Sequence, residues 1–394
     1  MKRAATLLGL VLVLGLSLVA AGCGGDEDET TGGETTAAAT TEDGGGTAAD
    51  CTGSIGVMAP ITGDAASIGE EQLNFTKFAV SRFNEENGTS FELVEGDTQL
   101  DPAQASTVAQ RFVSNDDILG VVGPAGSQEV EAVGPIFTRE NMGFVGGSAT
   151  RTSLTMSGDF PTFHRVVPND DAQGPTIAEY IAENLEAESV FIVDDQTSYS
   201  TGLADSATTA LEEADVTVRR ESVNQDQNDF SAIVSNVGDA DVVFLPWQLA
   251  NKAQVFAQQL QEQGSDAVIF GSDGLFSSDF TQEGSYVSSF APDIKAIESS
   301  AELVEAYEAE YGDFTSTFGP PSYAAATVIL EAIVRACEEG EPTREAVAEQ
   351  IGETDQEQSI LGDRLSFDDN GDVEGARFYI FEVLGGGEYR PADE

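Results

Sequence analysis

Three short runs in the chain have the residue types to hold a small charged molecule. Gly123-Pro124-Ala125-Gly126-Ser127 follows an apolar LGVV and precedes a helical pattern. A serine hydroxyl and free backbone N–H groups at a helix start favour a carboxylate. Val145-Gly146-Gly147-Ser148-Ala149-Thr150 offers two hydroxyls on a backbone bare of large side chains. Ile269-Phe270-Gly271-Ser272-Asp273-Gly274 sets an acid at a strand end among glycines, where it could meet an ammonium. Ser127 and Asp273 each have a plainer reading as helix caps.

Other chemistry finds little support. There is one histidine, His164, and there are three cysteines. A zinc site of four cysteines and any catalysis needing a second histidine are therefore impossible. GVVGPAG lacks the glycine spacing of a dinucleotide fingerprint, and neither a Walker A string nor a G-x-S-x-G elbow occurs. DDNGD at 368–372 starts like a calcium loop, yet Tyr379 stands where that loop needs its glutamate. A hairpin turn fits it better. His164, in FHRVVP, reads as structural. The formal net charge of −53 argues against nucleic acid or an anionic membrane surface as partner. No cofactor is expected.

The elements that must carry these runs alternate strand and helix. Strands are expected at 54–58, 91–95, 119–122 and 143–145, with helices at 70–86, 102–115 and 128–141 between them. A second series places strands at 190–193, 216–218, 242–245 and 268–270, and helices at 172–185, 201–214, 230–237 and 251–263. Such alternation means parallel sheets covered on both faces, and two series make two lobes. Later helices are expected at 301–311, 323–338 and 343–351. The end reads as two strands, 364–367 and 377–384, around the DDNGD turn. Ligands of such sheets bind at the carboxyl ends of strands, where the three runs lie.

The first fifty residues read as an address. Met1-Lys2-Arg3 precedes an apolar stretch, 4–21, which ends in LVAAGC. That is the layout of a signal peptide, 1–22. The string resembles a bacterial lipobox, which would lipidate Cys23, although Ala20 stands where leucine is usual. Residues 24–50 hold no large apolar side chain and read as a disordered acidic tether. Eight acids in 24–50 and the two bases before them leave −47 on 51–394, so the acidity belongs to the folded part.

Taken in order, SIGVMAPITGDAASIGEEQ, EGDTQLDPAQA, GVVGPAGSQEV, FVGGSAT, FHRVVPNDDAQG, IVDDQTSYSTGL, FLPWQLANKA and FGSDGLF resemble the substrate-binding proteins of branched-chain amino acid ABC transporters, from about Ser54 to Arg390. The resemblance implies a type I periplasmic binding protein: an α/β chain whose two Rossmann-like lobes close over a ligand about a three-segment hinge. It divides the chain into lobe 1 (51–168 and 297–370) and lobe 2 (169–296 and 371–394), with crossings near 168, 291–297 and 367–376. By position, Ser127 matches the serine that bonds the ligand carboxylate. Ser148, Ala149 and Thr150 match the loop that holds the ligand's charged ends. Tyr199 and Trp247 match second-lobe aromatics, Asp273 the ammonium-binding acid, more often glutamate, and Phe318 a wall residue. Ile68 replaces an aromatic of the leucine/isoleucine/valine binders. Leu100 and Gly126 replace a cysteine pair. The anchor for an amino acid backbone is thus better kept than the side-chain pocket.

The resemblance further implies a lipoprotein outside the cytoplasm, held to the membrane by its lipid alone and serving permease and ATPase subunits, with no catalysis. With Cys23 lipidated, Cys51 and Cys337 remain, both in the first lobe, and an oxidising space invites a disulfide between them. Two other readings stay open. One is a sensor of the same fold for an amide, urea or short carboxylate. The other is a hydrolase acting through Ser127, which would need His164 as base.

Overall fold

The computed structural model describes residues 51–392, which fall within one compact unit, Gly44–Glu394. The expected signal segment, Cys23 and the expected tether lie outside the described residues.

The first sheet is built from β1 (Ser54–Ala59), β2 (Glu92–Asp97), β3 (Ile118–Val122), β4 (Gly143–Gly146) and β5 (Phe163–Arg165), in the order β2-β1-β3-β4-β5. Every pairing is parallel. Between the strands run α1 (Ala66–Asn87), α2 (Pro102–Val113), α3 (Ser127–Arg139) and the short α4 (Ser153–Met156). Local chemistry fixes the ends. Asp101 caps α2 by accepting the Gln104 N–H at 2.7 Å, with Pro102 behind it. α1 stops at Gly88, whose φ of 66° suits a residue without a Cβ.

The chain then leaves this sheet. Asn169 caps α5 (Asp170–Glu179) by accepting the Asp171 N–H at 3.0 Å. A π-helical turn, Tyr180–Asn184, follows. Then come β6 (Ser189–Asp194), α6 (Ser198–Glu213), β7 (Thr217–Ser222), α7 (Ser231–Val234), β8 (Val242–Leu245), α8 (Ala250–Glu262), β9 (Val268–Gly271) and β10 (Tyr286–Ser289). The chain returns as α9 (Ala301–Tyr311), α10 (Gly319–Glu339), α11 (Arg344–Gly352), β11 (Asp355–Gln356) and β12 (Leu365–Ser366). It crosses a last time into β13 (Tyr379–Gly385) and β14 (Glu388–Pro391). The second sheet runs β14-β13-β10-β9-β8-β6-β7, with only the β10–β13 and β13–β14 pairings antiparallel.

Each sheet is covered on both faces, as buried parallel strands require. In the first lobe, one core gathers Phe75, Ile329 and Ile351 with the helices α1, α10 and α11, and the opposite core gathers Phe112, Phe137 and Phe144. α10 lies so close to α1 that a Cβ on Gly319 would sit 2.1 Å from the Phe75 ring. In the second lobe, one core holds Trp247, Phe256 and Leu260, and the other holds Ile177, Leu203 and Phe244. Ile68, Val167, Phe290, Ala291, Phe318 and Phe378 form a separate cluster beside the crossings.

Several sequence expectations need correction. The two C-terminal strands do not pair around DDNGD: β12 pairs with β11, and β13 with β10. A single bridge, Phe367 to Val373, closes the turn, whose Asp368 carboxylate takes the Asn370 and Asp372 N–H groups. The helix expected at 230–237 is one α-turn long. α10 starts four residues ahead of 323, because Pro320 and Pro321 sit in its first turn, where missing N–H groups cost nothing.

Cys51 and Cys337 form a disulfide, their α-carbons 6.1 Å apart across a separation of 286 residues. A closed loop of that length restricts the unfolded chain strongly. Cys337→Ser is expected to lower the unfolding free energy by about 2–4 kcal/mol. Urea midpoints with and without reductant check this, and an unchanged midpoint would show that the bridge adds no stability.

Candidate functional site

The site assembles where α3 begins. Ser127 is the first residue of that helix, not its cap as the sequence suggested. Gly126 occupies the cap position, and its N–H donates to the Glu129 carboxylate at 2.7 Å. The Ser127 hydroxyl is thereby left for other partners. It accepts the Arg151 N–H at 3.3 Å. Ser148, just past β4, donates to the Ala125 carbonyl at 2.9 Å and accepts from Gln72 Nε2 at 3.0 Å. One hydrogen-bonded floor thus joins α1, the start of α3 and the loop after β4. Among the described residues, the N–H groups of Ser127, Ala149 and Thr150 have no acceptor.

The second lobe brings acid to this floor. Asp273 opens a 3-10 turn straight after β9. Its carboxylate accepts the Tyr199 hydroxyl at 2.7 Å and the Gln173 side-chain amide. Gln173 also donates to Ser288 Oγ at 2.9 Å. Asp170, at the start of α5, donates its backbone N–H to the Thr150 carbonyl at 2.9 Å. Its side chain faces the Thr150 hydroxyl without a well-formed hydrogen bond. Burial pushes the Asp170 carboxyl up to about 7, and the nearby Asp273 adds to this. Burial likewise pushes Asp273 up to about 6. Tyr199 is held well above its ordinary range, first by burial and then by the two acids, so it stays a donor. Neither Asp170 nor Asp273 has an ion-pair partner among the described residues.

The cleft is shut. Ser127, Ser148, Ala149, Thr150, Tyr199, Asp273, Ile68 and Phe318 are each at most 5% exposed. Gln128 Nε2 reaches across to Gln248 Oε1 at 2.8 Å, the Ser67 and Ser277 hydroxyls meet at 3.2 Å, and the Arg151 guanidinium donates to the Ser198 carbonyl. Inside, Gln72 Oε1, Thr150 Oγ1, Gln173 Oε1 and both Asp170 oxygens are buried without a hydrogen-bond partner. Buried polar atoms are nearly always paired, so a cluster of unpaired ones contributed by both lobes is the candidate ligand-facing surface.

The structure brings Ser127, the 148–150 loop, Tyr199 and Asp273 together. Ile68 and Phe318 share the apolar cluster beside the crossings. Trp247 is placed differently. Its ring packs against Phe230 and Phe256 in the second-lobe core, and its indole N–H donates to the Val193 carbonyl at 2.6 Å. Only its carbonyl approaches the site, accepting the Ser272 hydroxyl at 3.1 Å. A Cβ on Gly126 would lie 3.0 Å from Leu100 Cδ1, so these two positions are neighbours. Arg165 turns toward the Ala149 carbonyl, so its neighbour His164 turns to the other face of β5, against Phe367. There burial pushes it down to about 4. His164 is no base for Ser127. Sequence reasoning missed Gln72, Asp170 and Gln173. The last two stood within PNDDAQG, but nothing local gave them a role.

Two lobes on mainly parallel sheets, shut over a buried set of unpaired donors and acids, have the architecture of a solute-binding protein. The chain belongs to the periplasmic binding protein family, whose model matches residues 52–388. A leucine-, isoleucine-, valine-, threonine- and alanine-binding protein of Pseudomonas aeruginosa is 29% identical over 349 residues, covering 85% of this chain and 90% of that protein. The fold matches a branched-chain amino acid transporter substrate-binding protein from Streptococcus pneumoniae, solved with isoleucine, at a TM-score of 0.76 and 23% identity, over 86% of this chain and 98% of that one. It matches an R. palustris ABC transporter solute-binding protein, solved with benzoate, equally well, at 0.76 and 14% identity over 86% and 95%.

Proposed function

We propose that this protein is the extracytoplasmic binding component of an ABC importer and takes a small zwitterionic amino acid, branched-chain or closely related. Its permease and ATPase partners and a lipid anchor at Cys23 are part of the same reading. The observation that carries it is the pairing, in one shut cleft, of unaccepted N–H groups at Ser127, Ala149 and Thr150 with two buried acids, Asp170 and Asp273, neither held in an ion pair among the described residues. A carboxylate suits the first pole, where the α3 dipole adds to the donors. An ammonium suits the second, because it offsets charge that burial makes costly. Ile68 and Phe318 supply an apolar wall for a side chain. The family, rather than any missing residue, argues for binding over catalysis.

Calorimetric titration with leucine, isocaproate and isoamylamine separates the poles. Leucine is expected to bind tightest, and either analogue should lose at least about tenfold, since each charge-assisted bond is worth roughly 1.5–3 kcal/mol. Isocaproate or benzoate binding as tightly as leucine would replace this reading with that of a plain carboxylate binder.

A further inference from the structure

The DDNGD turn ends in Asp372, and the surroundings of that residue lead back to the ligand loop. Arg165 closes β5 with its side chain wholly buried. Its guanidinium is spent on one segment: Nη1 donates to the carbonyls of Ala149 at 3.1 Å and Arg151 at 2.8 Å, and Nη2 to Thr155 Oγ1 at 2.6 Å. Nε pairs with Asp372. Asp372 also accepts the Thr155 hydroxyl at 3.0 and 3.1 Å and Asn169 Nδ2 at 2.9 Å. The Arg165 N–H donates to the Gly371 carbonyl at 3.0 Å, which holds the turn in register with β5.

The geometry of the peptide unit gives this network a direction. A carbonyl and the following N–H lie in one plane and point opposite ways. With the Ala149 carbonyl held by Arg165, the Thr150 N–H must aim away from Arg165. The same network touches two crossings, because Asp372 lies on the third and Asn169 on the first. Asn169 caps α5, the helix that carries Asp170 and Gln173 to Asp273.

We propose that Asp372 is a positioning residue for ligand binding: it fixes the Arg165 guanidinium, which fixes the 149–151 backbone so that the Thr150 N–H faces the carboxylate subsite. Because Asp372 sits on a crossing beside Asn169, the order of that loop depends on how the crossing segments are arranged. The proposal rests on the carboxylate reading of the loop.

The test is Asp372→Asn in the full chain, with leucine as probe and amide hydrogen exchange as a second readout. The variant keeps the shape of the side chain but leaves Arg165 without its counter-charge. Leucine affinity is expected to fall tenfold or more, mostly through faster dissociation. Exchange in the unliganded protein should quicken at 148–152 while 324–336 in α10 stays protected. Affinity within twofold of the unsubstituted protein would overturn the proposal. So would exchange that quickens equally in α10, since that marks general loosening. If the unsubstituted protein does not bind leucine, the amino acid reading fails, and the exchange comparison still decides the role of Asp372. Should the asparagine variant not fold, Thr155→Val removes one partner of Asp372 and one acceptor of Arg165 while keeping the Arg165–Asp372 ion pair, and the same local exchange signature is required of it.

Discussion

Asp273→Asn is expected to weaken leucine binding by 100-fold or more while leaving the empty protein at least as stable. The two effects have one cause. In the shut cleft the Asp273 carboxylate is buried, held by Tyr199 and Gln173 but matched by no cation. A buried unpaired charge costs folding free energy. The amide removes that cost and still accepts the Tyr199 hydroxyl. The ligand then loses a charge-assisted bond, and its ammonium is desolvated without compensation, which costs more than the bond alone. A loss beyond about 2.7 kcal/mol corresponds to about 100-fold. Calorimetry and thermal melting on the same preparation check both halves. A variant that melts lower and binds normally would place the ammonium elsewhere.

The second large effect is on pH. Burial pushes Asp170 up to about 7 and Asp273 up to about 6 in the shut cleft. An ammonium binds the ionised forms, while a zwitterionic ligand keeps its own charges from pH 5 to 8. Affinity should therefore hold above pH 7 and fall as pH drops through 7 and 6, by up to about tenfold per unit for each group. Stability of the empty protein runs the other way. A carboxyl raised on folding binds more protons folded than unfolded between its two values, so stability falls as pH rises through that window. The unliganded protein should melt higher at pH 5 than at pH 8, and the ligand-induced shift in melting temperature should grow with pH. Glu129, raised to about 7 by burial, shares the first trend but not the second. The Asp273→Asn variant separates them, since it should make the pH dependence of affinity less steep while leaving the Glu129 contribution to stability in place. Affinity independent of pH between 5 and 8 would mean that neither acid meets the ligand.

The strands that show plainly in the sequence are the ones buried on both faces. The apolar runs of β1, β3 and β8 admit little else. β5 and β10 escaped notice for a physical reason. β5 is three residues long and carries His164 and Arg165. β10 ends in Ser288 and Ser289, whose hydroxyls are used by Gln173 and Thr317. Polar side chains were placed in buried strands because the crossings and the site needed them. The site divides in the same way. Ser127 and Asp273 were legible because strand ends with small residues have a local signature. Gln72, Asp170 and Gln173 lie on helices and gain their meaning only from partners far off in sequence, Ser148, Thr150 and Asp273. Trp247 was misplaced because an aromatic after a strand looks the same whether it faces core or cleft.

Cys51 is the point at which the described fold begins, and its bridge to α10 decides where load enters the molecule. Tension applied at Cys51 would otherwise pull on β1, which sits inside the first sheet between β2 and β3. With the bridge in place, that tension passes into α10, the long helix packed along α1. Load applied at Cys51 is then shared by that helix pair before it reaches the strand pairing of the first sheet.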